Sequence, residues 1–195
     1  MEYLDEGINY SDEISVKVIV LGKSLVGKSF SLNRMKNKNY LEFKDSNQVY
    51  ISTIGFEFYL KKVKINNKVL ALHFWDTADL QIYSSLISNF YINAPIFLIF
   101  YNTFDRDSFD RAKLYFKEIK DNTNNINQIK VLVRSKYEIN LKTNEKDFVT
   151  DEEALEYADK NKMYFAHIAT YEKYETGINE LIEFIVKEYV KTNYT

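Results

Sequence analysis

The sequence contains no cysteine, one proline and five glycines among its 195 residues. The absence of cysteine excludes disulfides, thiol nucleophiles and thiolate metal ligands. It also leaves no side chain that prenylation could modify, so we expect no direct lipid anchor. The sequence shows no N-terminal signal and no apolar run of bilayer length. We therefore expect a cytoplasmic protein whose association with membranes is indirect.

A strong charge of either sign is also missing, because the formal net charge is only −2. Nothing in this balance favours a nucleic-acid partner, so we expect none. The apolar fraction of 46% and the chain length suit a single globular domain. We assign that domain to residues 14–190. The polar segment 1–13 is predicted to be a flexible N-terminal tail, and 191–195 a short C-terminal tail.

Strand-like and helix-like patterns alternate along the chain. Continuous apolar runs such as 96–101 are typical of buried parallel strands, whereas the spacing of apolar residues in 177–190 is typical of an amphipathic helix. This alternation predicts an α/β fold with three layers: a doubly wound, six-stranded, mostly parallel sheet with helices on both faces. The predicted strands are 14–21, 56–65, 68–76, 96–101, 129–133 and 163–169. The predicted helices are one that ends near Lys38, then 84–93, 108–120, 152–161 and 177–190.

The most informative motif is the octapeptide that follows the first strand and precedes the first helix. It has glycine at its first and sixth positions and ends in Lys-Ser, which in this context is typical of a phosphate-binding loop. Backbone N–H groups of such a loop, together with the helix N-terminus, bind anions. Lys28 is expected to contact the β- and γ-phosphates, and the Ser29 hydroxyl to ligate Mg²⁺. A strand–turn–helix corner without a ligand is the alternative. The predicted phosphate-binding residues here are Gly22, Lys23, Ser24, Leu25, Val26, Gly27, Lys28 and Ser29.

Two further stretches give the motif a family context. Residues 52–58 read Ser-Thr-Ile-Gly-Phe-Glu-Phe, and residues 75–78 read Trp-Asp-Thr-Ala. Together with the loop they resemble the small GTPases of the Ras superfamily, and the Rab branch most closely, over about residues 14–190. The resemblance implies a P-loop small G domain that binds GTP or GDP with Mg²⁺. It also implies effector and exchange proteins as partners, and a role in vesicle trafficking or signalling.

The resemblance implies that Thr53 and Asp76 join Ser29 around the metal ion, and that Thr53 also meets the γ-phosphate. Oxygen ligands of this kind, with retained water, suit Mg²⁺. A β-branched residue at a strand entry is the alternative interpretation of Thr53, and a strand-end turn former that of Asp76.

The base-recognition motifs depart from the family. Where the family has Asn-Lys-x-Asp, residues 135–138 read Ser-Lys-Tyr-Glu, so the carboxylate is retained but the asparagine is not. The resemblance places the family's second base motif at 169–171, and Phe43 could replace the aromatic that stacks on the base. We therefore expect weakened guanine selectivity, with an adenine or mixed-nucleotide binder as an alternative. The predicted base-binding residues are Ser135, Lys136, Glu138, Ala169, Thr170, Tyr171 and Phe43.

The segment after Asp76 departs as well. The family has Asp-Thr-Ala-Gly-Gln-Glu. In this chain Asp79 replaces the glycine, and Leu80 replaces the glutamine that positions the attacking water. Leu80 offers no hydrogen bond to an attacking water, and Asp79 places a carboxylate near the terminal phosphate. We expect at most a slow GTPase, with Gln81 as a possible substitute for the glutamine.

The resemblance also implies an effector-binding surface formed by Ile54, Phe58, Trp75 and Phe90. Core packing is the alternative for Phe58 and Phe90. Two functions remain open from the sequence: a nucleotide-dependent switch with impaired hydrolysis, or a pseudo-GTPase scaffold that keeps the fold and a partner surface.

Overall fold

The structure of the chain is a computed structural model. It describes residues 1–36, 55–77, 90–123, 127–135, 148–168 and 177–194.

The described residues form one mixed sheet and the helices that cover it. The strands are β1 (Glu2–Leu4), β2 (Glu13–Gly22), β3 (Phe56–Ile65), β4 (Lys68–Thr77), β5 (Ile96–Asn102), β6 (Ile129–Ser135) and β7 (Tyr164–Ile168). The helices are α1 (Lys28–Lys36), α2 (Arg106–Asn122), α3 (Asp151–Lys160) and α4 (Ile178–Tyr194).

The sheet order is β1-β3-β4-β2-β5-β6-β7. Strand β2 pairs in parallel with β4 and β5, and β5–β6 and β6–β7 are also parallel, whereas β3 is antiparallel to both of its neighbours. The carboxyl ends of β2, β4, β5 and β6 therefore meet at one edge of the sheet. Ligands of open α/β sheets bind at this edge.

Successive side chains of a strand point to opposite faces of the sheet, and the apolar ones form a hydrophobic core on each face. In β2, Val18 and Val20 face the core that α1 and α4 cover, whereas Ile19 and Leu21 face the core that α2 and α3 cover. The predicted three-layer α/β fold is therefore confirmed.

Local sequence signals explain several element boundaries. Asn66 and Asn67 adopt φ values of 47° and 60°, as a tight two-residue hairpin between β3 and β4 requires. The side chains of Asp105 and Thr150 cap α2 and α3 by accepting hydrogen bonds from backbone N–H groups of their first turns. Of the predicted helix 84–93, the part 84–89 lies outside the described residues.

Strand β1 corrects two predictions: the flexible tail at 1–13 and the count of six strands. Residues 2–4 pair antiparallel with residues 62–64 of β3 and form a seventh strand. The following residues are held by Lys62, whose Nζ donates to the carbonyl of Ile8 at 2.7 Å and pairs with the Glu13 carboxylate at 2.8 Å. Lys62 is only 2% exposed, and a buried ammonium requires such partners.

The C-terminal boundary is corrected as well. Helix α4 continues to Tyr194, so residues 191–194, predicted to be a tail, are helical. The Thr192 hydroxyl donates to the carbonyl of Glu188 at 2.8 Å within this last turn. No helix in the described ranges is long and apolar enough to cross a membrane.

We predict that Tyr3→Pro releases β1 from the sheet, because proline lacks the N–H group and does not fit a paired strand. The free energy of unfolding should fall by about 1 kcal/mol, the scale of one or two net hydrogen bonds. Hydrogen exchange at residues 62–64 should become faster. Tyr3→Phe, which keeps the strand, is the control. Unchanged exchange in Tyr3→Pro would show that β1 does not protect this edge.

Candidate functional site

The candidate site lies where β2 turns into α1 at the carboxyl edge of the sheet. Gly22 ends β2 with φ of 146°, and a Cβ at this position would lie 2.6 Å from the Phe100 carbonyl oxygen of β5. Glycine is therefore required for the close approach of the two strands. Gly27, with φ of 102°, turns the chain into α1. These two glycines shape the predicted phosphate loop.

Lys28 lies at the start of α1 and is 6% exposed. Its ammonium donates to the carbonyls of Gly22 at 2.8 Å and Lys23 at 3.0 Å, so it reaches back across the loop. The positive end of the α1 dipole lies at the same place. The loop therefore combines a fixed cation with a helix N-terminus, which is a setting for phosphate groups.

Ser29 and Asp76 form the second part of the site. Asp76 is fully buried near the end of β4, beside Val20 of β2, and one of its carboxylate oxygens, Oδ2, accepts a hydrogen bond from the Ser29 hydroxyl. Among the described residues, the other oxygen, Oδ1, has no hydrogen-bond partner. Burial raises the pKa of Asp76 to about 6, although the Ser29 hydrogen bond and the Lys28 ammonium both lower it.

These donors fit Mg²⁺. A buried carboxylate oxygen without a partner calls for a cation or a water, and a hydroxyl with a carboxylate is a hard oxygen set. The described residues include no group of three or more His, Asp or Glu side chains that could hold a metal ion. Mg²⁺ usually takes one or two protein ligands and completes its shell with phosphate oxygens and water.

The Lys23 side chain points away from the loop. Its ammonium pairs with Asp105 at 3.1 Å and Asp107 at 2.7 Å, at the start of α2. The hydrogen bonds that Lys23 donates to these carboxylates, with the one to Asp107 as the largest cause, raise the pKa of Lys23. The side chain thus ties the loop to α2, and any contact with phosphate falls to the Lys23 backbone. Sequence reasoning did not find Asp105 or Asp107, because the capping pattern at Asp105 does not indicate a partner in the loop.

Leu25 stands at the tip of the loop with φ of 65°, and its side chain is 58% exposed. A residue with a Cβ is strained in this left-handed region by about 1–2 kcal/mol. The loop therefore adopts a conformation that favours glycine at a position where the sequence has leucine.

Ser135 was predicted to bind the base, but it is fully buried at the end of β6. Its hydroxyl lies within hydrogen-bond distance of the Val26 carbonyl in the loop and of the Tyr101 carbonyl, the latter at 2.9 Å. The structure thus places Ser135 beneath the phosphate loop. The remaining predicted site residues lie outside the described residues: Phe43, Thr53, Ile54, Asp79, Leu80, Gln81, Lys136, Glu138, Ala169, Thr170 and Tyr171.

Three of the predicted surface residues do come together. The ring of Trp75 lies 5.6 Å from Phe58 and 5.9 Å from Phe90, measured between centroids. Phe58 is 53% exposed, so the alternative of core packing does not hold for it, whereas Trp75 and Phe90 also pack against the core. Phe56, which sequence reasoning did not single out, adds a fourth ring 5.1 Å from Phe90. The Lys17 ammonium lies 5.7 Å from the Trp75 ring, and burial lowers the pKa of Lys17.

Comparison with known proteins extends the likeness over most of the chain. A family model described as the Ras family matches residues 17–191. The chain is 36% identical to Ras-related protein Rab-11B of Dictyostelium discoideum, over 87% of this chain and 73% of that protein. It is 34% identical to GTP-binding protein YPT1 of Saccharomyces cerevisiae, over 76% and 67% of the two chains. It is 31% identical to Ras-related protein Rab5 of Nicotiana tabacum, over 90% and 82%.

We predict that Leu25→Gly stabilises the protein. Relief of the left-handed strain should exceed the entropic cost of glycine, so that the free energy of unfolding rises by roughly 0.5–1 kcal/mol. Leu25→Ala keeps the Cβ and therefore the strain, and should not stabilise. Urea unfolding of the two variants separates the effects. An equal change in both would assign the effect to the leucine side chain rather than to the backbone.

Proposed function

This chain belongs to the Ras family, and on that premise we propose that it is a Rab-like switch that binds GTP and GDP together with Mg²⁺. The observation that carries the proposal is the arrangement of Lys28, Ser29 and Asp76 at one edge of the sheet. The Lys28 ammonium and the loop N–H groups bind the phosphates, as in other phosphate loops.

Ser29 and Asp76, with Thr53, hold Mg²⁺ in this proposal. The bound ion would supply charge neutralisation at the β- and γ-phosphates. Asp76 suits the role because its carboxylate is buried beside Ser29 and keeps one oxygen without a partner among the described residues. A cation there would favour the ionised carboxylate and oppose the effect of burial on its pKa.

On the base side we propose that Glu138 and Lys136 recognise the nucleotide, with 169–171 and Phe43 nearby. Guanine selectivity is weaker than in the family, because the asparagine of the usual motif is replaced by Ser135. A site with fewer buried hydrogen bonds to the base edge penalises a wrong base less.

The aromatic surface of Phe58, Trp75 and Phe90, extended by Ile54, is proposed to bind effector proteins. In the sequence these residues adjoin or fall within the segments 42–56 and 77–92, which we propose change order with the bound nucleotide. A half-exposed phenylalanine beside a tryptophan is the kind of apolar surface that partners bury. We further propose a role in vesicle trafficking, which rests on the resemblance to Rab proteins.

We predict that Lys28→Ala lowers the affinity for GDP in the presence of Mg²⁺ by at least roughly tenfold, because a charge-assisted contact to phosphate is lost. Removal of Mg²⁺ with a chelator should also weaken binding by wild type. Isothermal titration calorimetry measures both effects.

Lys36→Ala, at the exposed end of α1, is the matched control and should bind like wild type. Equal affinity of Lys28→Ala and wild type would show that nucleotide does not bind at this loop. Failure of the wild-type protein to bind any guanine nucleotide would instead favour the pseudo-GTPase scaffold.

We predict that GTP hydrolysis is slow, at or below the family's intrinsic rate on the order of 10⁻⁴ per second. Leu80 lacks a polar group to orient water, so Leu80→Gln should raise the rate, while Gln81→Ala should leave it unchanged. Single-turnover assays with all three proteins test this. Rapid wild-type turnover that is lost in Gln81→Ala would mean that Gln81 positions the water.

A further inference from the structure

Ser135 occupies a position that makes contact with a base difficult. It is fully buried, and its hydroxyl faces two backbone carbonyls, those of Val26 and Tyr101. A carbonyl only accepts hydrogen bonds, and a serine hydroxyl has a single hydrogen to donate. That hydrogen is therefore donated to a backbone carbonyl of the protein, and it is not available to a base.

The contact with Val26 fixes the orientation of one peptide unit of the phosphate loop. The peptide bonds of the described residues are all trans, so the Val26 carbonyl and the Gly27 N–H point in opposite directions. When the carbonyl is held toward Ser135, the Gly27 N–H is turned to the other side of the loop. Inward-facing N–H groups of this kind are what bind phosphate in such loops.

The Val26 side chain makes this orientation firmer. It is 1% exposed and belongs to the core that also contains Phe100 and Leu32. Val26 is thus held at two points, by its side chain in the core and by its carbonyl at Ser135. Gly27 follows with φ of 102°, a conformation that a residue with a Cβ rarely adopts. The peptide between them has little freedom to turn over.

We infer that Ser135 is a positioning residue for the phosphate loop and not a reader of the base. The inference rests on the proposed nucleotide binding and changes the role of this residue within it. Base discrimination then depends on other side chains, whereas Ser135 supports the binding of any ligand whose phosphates enter the loop.

The two roles have different consequences for affinity. If Ser135 positions the loop, loss of its hydroxyl weakens the binding of every nucleoside diphosphate by the same factor. If it reads the base by donating to guanine O6, which adenine lacks, the loss weakens the binding of GDP and IDP and leaves that of ADP unchanged, so the ratio of the GDP and ADP affinities changes. A purely structural role in stability changes neither affinity while the protein stays folded.

The experiment compares wild type, Ser135→Ala and Ser108→Ala as full chains. Ser108 is as fully buried as Ser135, and its hydroxyl also donates to backbone carbonyls, but it lies in α2. Affinities for GDP, IDP and ADP are measured by calorimetry with Mg²⁺, and thermal melts establish that each protein is folded at the assay temperature. We expect the affinity of Ser135→Ala for each of the three ligands to fall roughly 5- to 30-fold, the scale of one buried hydrogen bond. Ser108→Ala should bind as wild type does.

If Ser135→Ala does not fold, Ser135→Cys takes its place, because the thiol keeps the shape of the side chain but is a weaker hydrogen-bond donor. Its loss of affinity should be smaller but equal for the three ligands. A change in the GDP-to-ADP ratio, or unchanged affinity for all three ligands, overturns the inference while nucleotide binding itself stands. If wild type binds none of the three, the proposed function fails and the inference falls with it.

Discussion

The buried ammonium of Lys28 is the group on which the geometry of the site depends. A charge removed from water is costly unless it has partners, and the carbonyls of Gly22 and Lys23 supply them. The loop must therefore close around this side chain, with the carbonyls of Gly22 and Lys23 turned toward the lysine. Closure is possible because Gly22 has no Cβ to meet the Phe100 carbonyl. Cation, loop and helix start are thus fixed as one unit.

Neighbouring strands complete that unit, each from its carboxyl end. Strand β4 brings Asp76 to Ser29, β6 brings Ser135 beneath Val26, and the start of α2 brings Asp105 to Lys23. Parallel pairing is what makes this convergence possible, because strands that run in one direction end at one edge. The fold positions the polar groups that the loop cannot provide for itself.

Strand β4 also links the site with the aromatic surface. Asp76 and Trp75 are adjacent, so their side chains point to opposite faces of the sheet, one toward the loop and the other toward Phe58 and Phe90. A single strand therefore carries both the carboxylate proposed to hold Mg²⁺ and the central ring of the proposed effector surface.

The sequence by itself determined the features that depend on local patterns. These are strands β2 to β7, the helices apart from the C-terminal end of α4, the Asn66-Asn67 turn, and the loop between β2 and α1 that carries Lys28 and Ser29. The tertiary structure alone decided contacts between distant residues. Val26 and Ser135 are 109 positions apart, and Lys23 and Asp105 are 82 apart, so no local pattern connects them. Strand β1 is three residues long, too short to show a period, and it pairs along the edge that β3 offers. Periodicity reports which face a residue takes, whereas the partner it meets there is set by how the strands align.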